Sequence, residues 1–318
     1  MLSEPVSILI ITRDRREMLD RLLSDLAVQR YQGAIEIVVV EETDFPREVA
    51  GVHYVPHPML NKGIAFARNM SVKHASHDML VFIDDDCRVA PDWLENLLTP
   101  FEDKTVLGAQ GGVTVPDGTN AIGWAETLLG FPGGGFTRVV QSHGEVRETR
   151  EVSTLNAAYR KEAVIKAGGF SDQARFGGED YLLAKRVAEQ GRLLFVPDAI
   201  VRHEARGSIG AIWSWFVRRG RAEVELWNNQ LAPERFGMWM VRASFLVKIV
   251  PLLLLSIWSV WPLILFLTGG VGLNLWRFRW VLGRTDIPVL AWWILPWLRM
   301  YMALASDVGR VKSWMMES

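Results

Sequence analysis

The run Met79-Leu80-Val81-Phe82-Ile83, followed at once by Asp84-Asp85-Asp86-Cys87, constrains this chain more than any other stretch. Consecutive apolar residues over that length predict a short strand buried on both faces, as in parallel sheets of α/β proteins. Three adjacent carboxylates at its end repel one another, and a divalent cation carrying a bridging phosphate would remove that conflict. The plain alternative is a solvated acidic turn. Pro91-Asp92-Trp93-Leu94 then opens a predicted helix, which puts the acids in a strand-to-helix crevice, where open α/β sheets take their ligands.

The preceding residues supply the rest of such a sheet. Val6 to Thr12 is a first buried strand, broken by Arg13-Asp14-Arg15, and Glu17 to Gln29 follows with helical spacing of Met18, Leu19, Leu22, Leu23 and Leu26. Ile35 to Val40 is a second strand ending in Glu41-Glu42-Thr43-Asp44, and strand–helix–strand at this spacing implies a right-handed parallel crossover. No glycine-rich turn follows the first strand, so both the dinucleotide fingerprint and the P-loop are absent. A nucleotide held here needs side chains and strand-end backbone. Val52 to Val55 reads as a third strand, and Asn61-Lys62-Gly63 as a turn opening a helix to about His74. Gly63 permits close backbone approach, while Lys62 and Arg68 have the charge to face phosphates or a base.

Taken together, Ile10 to Arg15, the acidic end of strand two, Asn61-Lys62-Gly63 with Ala67-Arg68-Asn69, and Phe82-Ile83-Asp84-Asp85-Asp86 resemble family 2 glycosyltransferases of the GT-A fold, over roughly the first 205 residues. The resemblance implies a nucleotide-sugar pocket lined by Thr12, Arg13, Glu41 and Arg68, with Lys62 and Asp85 beside them. It makes Asp84 and Asp86 the outer members of an Asp-x-Asp motif, Asp86 holding Mg2+ or Mn2+ and Asp84 near ribose or metal. Glu41 stands where the family commonly has Asp.

Further on, Leu107 to Val115 is a Gly-rich strand, and Thr127 to Glu151, with Phe131-Pro132-Gly133-Gly134-Gly135-Phe136, reads either as a mobile lid or as a long connection. Phe176-Gly177-Gly178-Glu179-Asp180 opens a helix with two acids. They complement the helix dipole, or Asp180 is the general base toward an acceptor hydroxyl with Glu179 as its neighbour; the resemblance favours the base. Arg192 to Val201 is a final strand ending near His203, a third metal ligand or a diphosphate partner, and the family often has a histidine at this place.

Net charge is −1, which argues against nucleic acid as a partner, and the single Cys87 excludes an internal disulfide. Met1 to Pro5 shows no signal-peptide pattern, so the first domain is expected to face the cytosol. Tryptophan is uneven: of 14, only Trp93 and Trp124 precede position 213. Ile209 to Asn228 mixes aromatic residues with Arg218, Arg219 and Arg221, suggesting a helix in the headgroup layer or one packed on the catalytic domain. Ile249 to Trp276 carries no charge, and its first 20 residues could cross a bilayer core of about 30 Å. Ile287 to Ser306, interrupted only by Arg299, is a second candidate. The basic connection of Arg277, Arg279 and Arg284 conflicts with two plain crossings, and a re-entrant hairpin at 249 to 276 is one way out.

The expectation is therefore an α/β, GT-A type fold, a mixed, mostly parallel sheet flanked by helices and followed by interfacial and transmembrane helices. Residues 1–208 form the catalytic domain, 209–243 an amphipathic interfacial segment and 244–318 membrane-embedded helices. The expected activity is inverting transfer of one sugar to a hydroxyl of a lipid or lipid-linked saccharide. Rivals are a processive polysaccharide synthase, a sugar nucleotidyltransferase and a non-catalytic membrane scaffold. Arg218-Arg219-Gly220-Arg221 stands where processive relatives carry Gln-x-x-Arg-Trp, which favours single transfer.

Overall fold

A computed structural model describes residues 3–231 and 236–317. In chain order the first elements are β1 (Val6–Thr12), α1 (Arg16–Leu26), β2 (Ile35–Glu42), β3 (His53–His57), α2 (Ile64–His74), β4 (Met79–Asp84) and β5 (Cys87–Val89). Next come α3 (Trp93–Leu98), β6 (Val106–Thr114), α4 (Ala121–Leu128), α5 (Gly135–Ser142), β7 (Arg147–Thr149), β8 (Asn156–Arg160), α6 (Lys161–Lys166), α7 (Glu179–Ala188) and β9 (Arg192–His203). Helices complete the chain: α8 (Ile209–Asn228), α9 (Phe236–Ala243), α10 (Leu246–Leu255), α11 (Trp261–Arg277) and α12 (Val289–Glu317). Two compact units result, Met1–Pro116 with Gly130–Glu204, and Asp117–Leu129 with Ala205–Ser318.

The first unit is one sheet in the order β3-β2-β1-β4-β8-β6-β9-β5, with β7 paired to β9. β1, β2, β3 and β4 are mutually parallel, β8 is antiparallel to both β4 and β6, and β9 again runs parallel to β6. This is the mixed, mostly parallel sheet expected. Strand alternation divides the apolar residues between two faces. Val6, Ile8 and Ile10 pack with Leu19 and Leu22 of α1 and Leu94 and Leu97 of α3. Leu9, Leu80 and Phe82 pack with Val164, Phe170 and Leu183 on the other face.

Three sequence expectations differ from the fold. The acids do not run directly into a helix, because β5 intervenes and pairs antiparallel with β9. The acidic run is thus a turn between two strands. The stretch 127–151 is not an open connection: it includes α5 and β7, with Phe136 buried and the Gly133 carbonyl accepting from Gln110 Nε2 at 2.6 Å. The charge-free run from Ile249 is not one span, since α10 ends at Leu255 and α11 starts at Trp261.

Asn156, at the start of β8, ties the sheet together below the site. It is fully buried; its amide donates to the Gly112 and Ala199 carbonyls at 2.9 and 2.8 Å, and its carbonyl accepts from the Trp93 indole at 3.0 Å. Gly111 makes room for it, because a Cβ there would lie 2.3 Å from the Asn156 amide nitrogen. Asn156→Leu strands two carbonyls and an indole N–H in a dry core, each worth about 1–3 kcal/mol. The expected result is a loss of about 3 kcal/mol or more in urea unfolding, with the fold retained by circular dichroism.

In the second unit the apolar face of α8 is turned inward. That face (Ile212, Phe216, Gly220, Val224) is buried, and α8 meets α12 backbone to backbone: a Cβ on Gly220 would lie 2.0 Å from the Ser306 carbonyl, and one on Gly309 the same distance from Val217.

Candidate active site

Register brings the acids to one end of the sheet. Thr12 stands opposite Glu41, and Ile11 opposite Asp84, so the ends of β1, β2 and β4 form a common edge. Cys87 pairs with His203 across β5 and β9, and the Asp86 carbonyl accepts the Glu204 amide at 3.0 Å. A residue 117 positions away in sequence is thereby placed beside Asp86: His203 Nε2 lies 3.3 Å from Asp86 Oδ1.

The three acids have separate partners. Asp85 turns inward, 4% exposed, and accepts from the Thr12 hydroxyl at 2.6 Å and Arg15 at 3.1 Å. Burial pushes its carboxyl up to about 6, the neighbouring Asp86 adding to this while the Thr12 hydroxyl and Arg15 work against it. Asp84 pairs with Arg68 at 3.4 Å. Its carboxyl is raised, first by burial and then, against the pull of Arg68, by Asp86 and Asp180. Asp86 accepts from Arg15 at 2.8 Å through Oδ2, while Oδ1 is buried with no hydrogen-bond donor. His203 Nδ1 is likewise buried without a partner.

Arg68, 4% exposed, bridges two elements by pairing with both Asp84 and Glu179. Burial pushes Glu179 up to about 7, opposed by the Arg68 guanidinium. The next residue is different: Asp180 is half-buried, and its carboxylate accepts its neighbour's amide, Tyr181, at 2.8 Å. Gly177 and Gly178, with φ of 133° and 92°, turn the chain into α7 just before this pair. Such angles favour glycine.

The other sequence-assigned residues have partners of their own. Glu41 is fully buried and accepts from the Tyr54 hydroxyl. Lys62 sits 4.5 Å over the Phe66 ring, and Arg13 pairs with Glu42 at 3.4 Å. Sequence reasoning missed Arg15. The signal was present in Arg13-Asp14-Arg15, but the divergence of the two arginines depends on Asp14, whose φ of 53° turns the chain between them.

The ionisation of Asp85 is open to a stability measurement in metal-free protein. Its folded value of about 6 lies above the ordinary 3.8, so the folded state holds a proton that the unfolded state has lost. The stabilisation is complete below the unfolded value and disappears as pH rises through the folded one. Asp85→Asn lacks that titration. Its urea midpoint is expected to rise relative to the parent's between pH about 4 and about 6.

Comparisons with known proteins identify the family. The family described as Glycosyl transferase family 2 matches residues 7–168. The chain belongs to that family. A pre-mycofactocin glycosyltransferase of Mycobacterium tuberculosis is 31% identical over 224 residues, covering 67% of this chain and 45% of the relative, so this chain spans less than half of that protein's length. A glucosyl-dolichyl phosphate glucuronosyltransferase of Haloferax volcanii is 24% identical, covering 63% of this chain and 69% of its own. Among solved structures, a mannosyltransferase from Pyrobaculum calidifontis in complex with GDP-Man and Mn2+ superposes with a TM-score of 0.61, at 19% identity, over 98% of this chain and 88% of that one. This likeness establishes the GT-A-like fold.

A divalent ion fits the residues present. A buried carboxylate oxygen without a donor, facing an imidazole nitrogen, is an arrangement a cation satisfies. Among the described residues no three of His, Cys, Asp and Glu converge into a metal site of their own.

Proposed function

We propose that this chain is a membrane-anchored, inverting glycosyltransferase that moves a single sugar from a nucleotide-diphosphate sugar to a hydroxyl of a lipid or lipid-linked saccharide, its catalytic residues within 1–208 and its membrane attachment in 209–318. The observation that carries this is the division of labour at the sheet edge: Asp86 and His203 present unsatisfied donor atoms, while Asp180 is accessible beside a locked Glu179.

Asp86 and His203 would hold Mg2+ or Mn2+, with Asp84 close by; when bound, the ion offsets charge growing on the departing diphosphate. Asp180 takes the proton from the acceptor hydroxyl as it attacks the anomeric carbon from the face opposite the leaving group, and this displacement inverts the centre. Glu179 and Arg68 fix the start of α7, so Asp180 meets the acceptor in one orientation. Thr12 and Arg15 brace the acidic turn through Asp85. Thr12, Arg13, Glu41, Lys62 and Arg68 border the nucleotide region, with contact to the base expected from the more exposed Arg13 and Lys62.

The acceptor class is supported by the Haloferax relative, whose name specifies a dolichyl phosphate-linked substrate. The catalytic domain is expected to face the cytosol, where nucleotide sugars are available. The test is purified protein with lipid extract and a panel of nucleotide sugars, with and without chelator. Release of nucleoside diphosphate from one donor, lost on chelation, is the expected result; no release from any donor overturns the reading.

A further inference from the structure

We propose that the second unit enters one leaflet of an anionic bilayer and does not cross to the other side. This rests on the membrane-anchored reading above and on none of the catalytic assignments.

Among the described residues only α12 is long and apolar enough by composition to cross a membrane. The 17 residues of α11 and 10 of α10 reach about 25 and 15 Å, short of a hydrocarbon core of about 30 Å. Helices α9 and α10 meet at a bend of 52° and form no straight span. α12 exposes apolar side chains at both ends, Val311, Trp314 and Met315 in its last turns. Its first turns expose Val289, Leu290, Trp293 and Trp297. It packs against α8 from Tyr301, beside Trp213, onward, and beyond Ser306 carries a buried ionic cluster. There Asp307, 1% exposed, accepts the Phe245 and Leu246 amides at 2.8 Å each, which caps α10. Arg310 donates to Asp307 at 2.7 Å and to Glu223 at 2.6 and 2.8 Å. This cluster is paired within protein and belongs to a protein interior. The part of α12 before this cluster, Val289 to Ala305, is about 25 Å long and is interrupted by Arg299, which donates to Asn274 at 2.8 Å.

The remaining apolar exposure suits a single leaflet. α10 exposes Val247, Val250, Leu253 and Leu254, and the turn after it carries Ile257 and Trp258, 74% and 81% exposed. Charge points to anionic lipid as the occupant. Between residues 236 and 304 the cations Arg242, Lys248, Arg277, Arg279 and Arg284, with Arg299, face one acid, Asp286. Exposed indoles at Trp239, Trp261 and Trp276 supply the amphipathic side chains that favour a membrane–water boundary. The same insertion resolves the conflict in the sequence, because the basic stretch Arg277–Arg284 then needs no transfer across the membrane.

The experiment adds the full chain to preformed sealed vesicles of phosphatidylcholine and phosphatidylglycerol. Single substitutions Arg284→Cys and Lys312→Cys are labelled with a membrane-impermeant maleimide before and after a pore-forming toxin admits it; Cys87, 1% exposed, sets the background. One-leaflet insertion predicts a labelling ratio near unity at both positions. A several-fold rise at one position alone means a crossing and overturns the proposal. A fluorophore on Trp258→Cys is expected to be quenched by brominated acyl chains. Absence of that quenching, or failure of the unsubstituted protein to float with the vesicles, also overturns it, self-association or a protein partner then being the use of this face. Sugar transfer is not read, so this result and that of the donor panel can fail separately.

Discussion

Asp86→Ala is expected to reduce sugar transfer by at least about 10³-fold and to abolish metal-dependent binding of nucleoside diphosphate. Such a loss corresponds to about 4 kcal/mol of transition-state stabilisation, in the range for removing a group that offsets developing charge. The argument starts from what each acid already has. Asp84 is paired with Arg68, and Asp85 is paired with Thr12 and Arg15. Only Asp86 keeps a buried oxygen with no donor, and it faces His203. Stability should not fall with activity, because the substitution removes one of three mutually repelling carboxylates and leaves Arg15 its contact with Asp85. Calorimetric titration with Mn2+ and a nucleoside diphosphate, beside a thermal melt, checks both halves. Retained metal-dependent binding in the folded variant would remove Asp86 from the role proposed for it.

Much of this unit could be read from residues alone, and the limits have physical causes. Strands β1, β2 and β4 were legible because burial on both faces leaves unbroken apolar runs. β8 was not, since Asn156-Ala-Ala-Tyr-Arg is neither apolar nor alternating and is defined by its partners β4 and β6. Helix α5 was hidden by the three glycines preceding and starting it; Gly133, Gly134 and Gly135 all have positive φ, a turn into a helix that resembles a flexible loop in sequence. At the site, types of residue were legible but pairings were not. Nothing in the spacing of Arg68 and Glu179, 111 residues apart, announces a buried ion pair. The apolar C-terminal region shows the same limit: its composition indicated length sufficient for crossing, whereas the break at 256–260 and the Asp307 cap depend on tertiary contacts.

The adjacent acids at the start of α7 should separate cleanly by substitution. Asp180→Asn is expected to lower kcat by about 10²–10⁴-fold, the usual contribution of a positioned general base, with donor KM and metal-dependent nucleotide binding nearly unchanged. Asparagine keeps the shape and the contact to the Tyr181 amide, so the fold has no reason to weaken. Glu179→Gln acts elsewhere. It leaves the buried Arg68 guanidinium with Asp84 as its remaining partner at 3.4 Å, and breaking a buried pair from one side costs about 3–5 kcal/mol. That variant should therefore show a lower melting temperature first, and a loss of turnover that follows from the misplaced helix start. If Asp180→Asn retains near-normal transfer while Asp86→Ala abolishes it, the proton goes to another group, and the accessible carboxylate at this helix start is only a complement to the helix dipole.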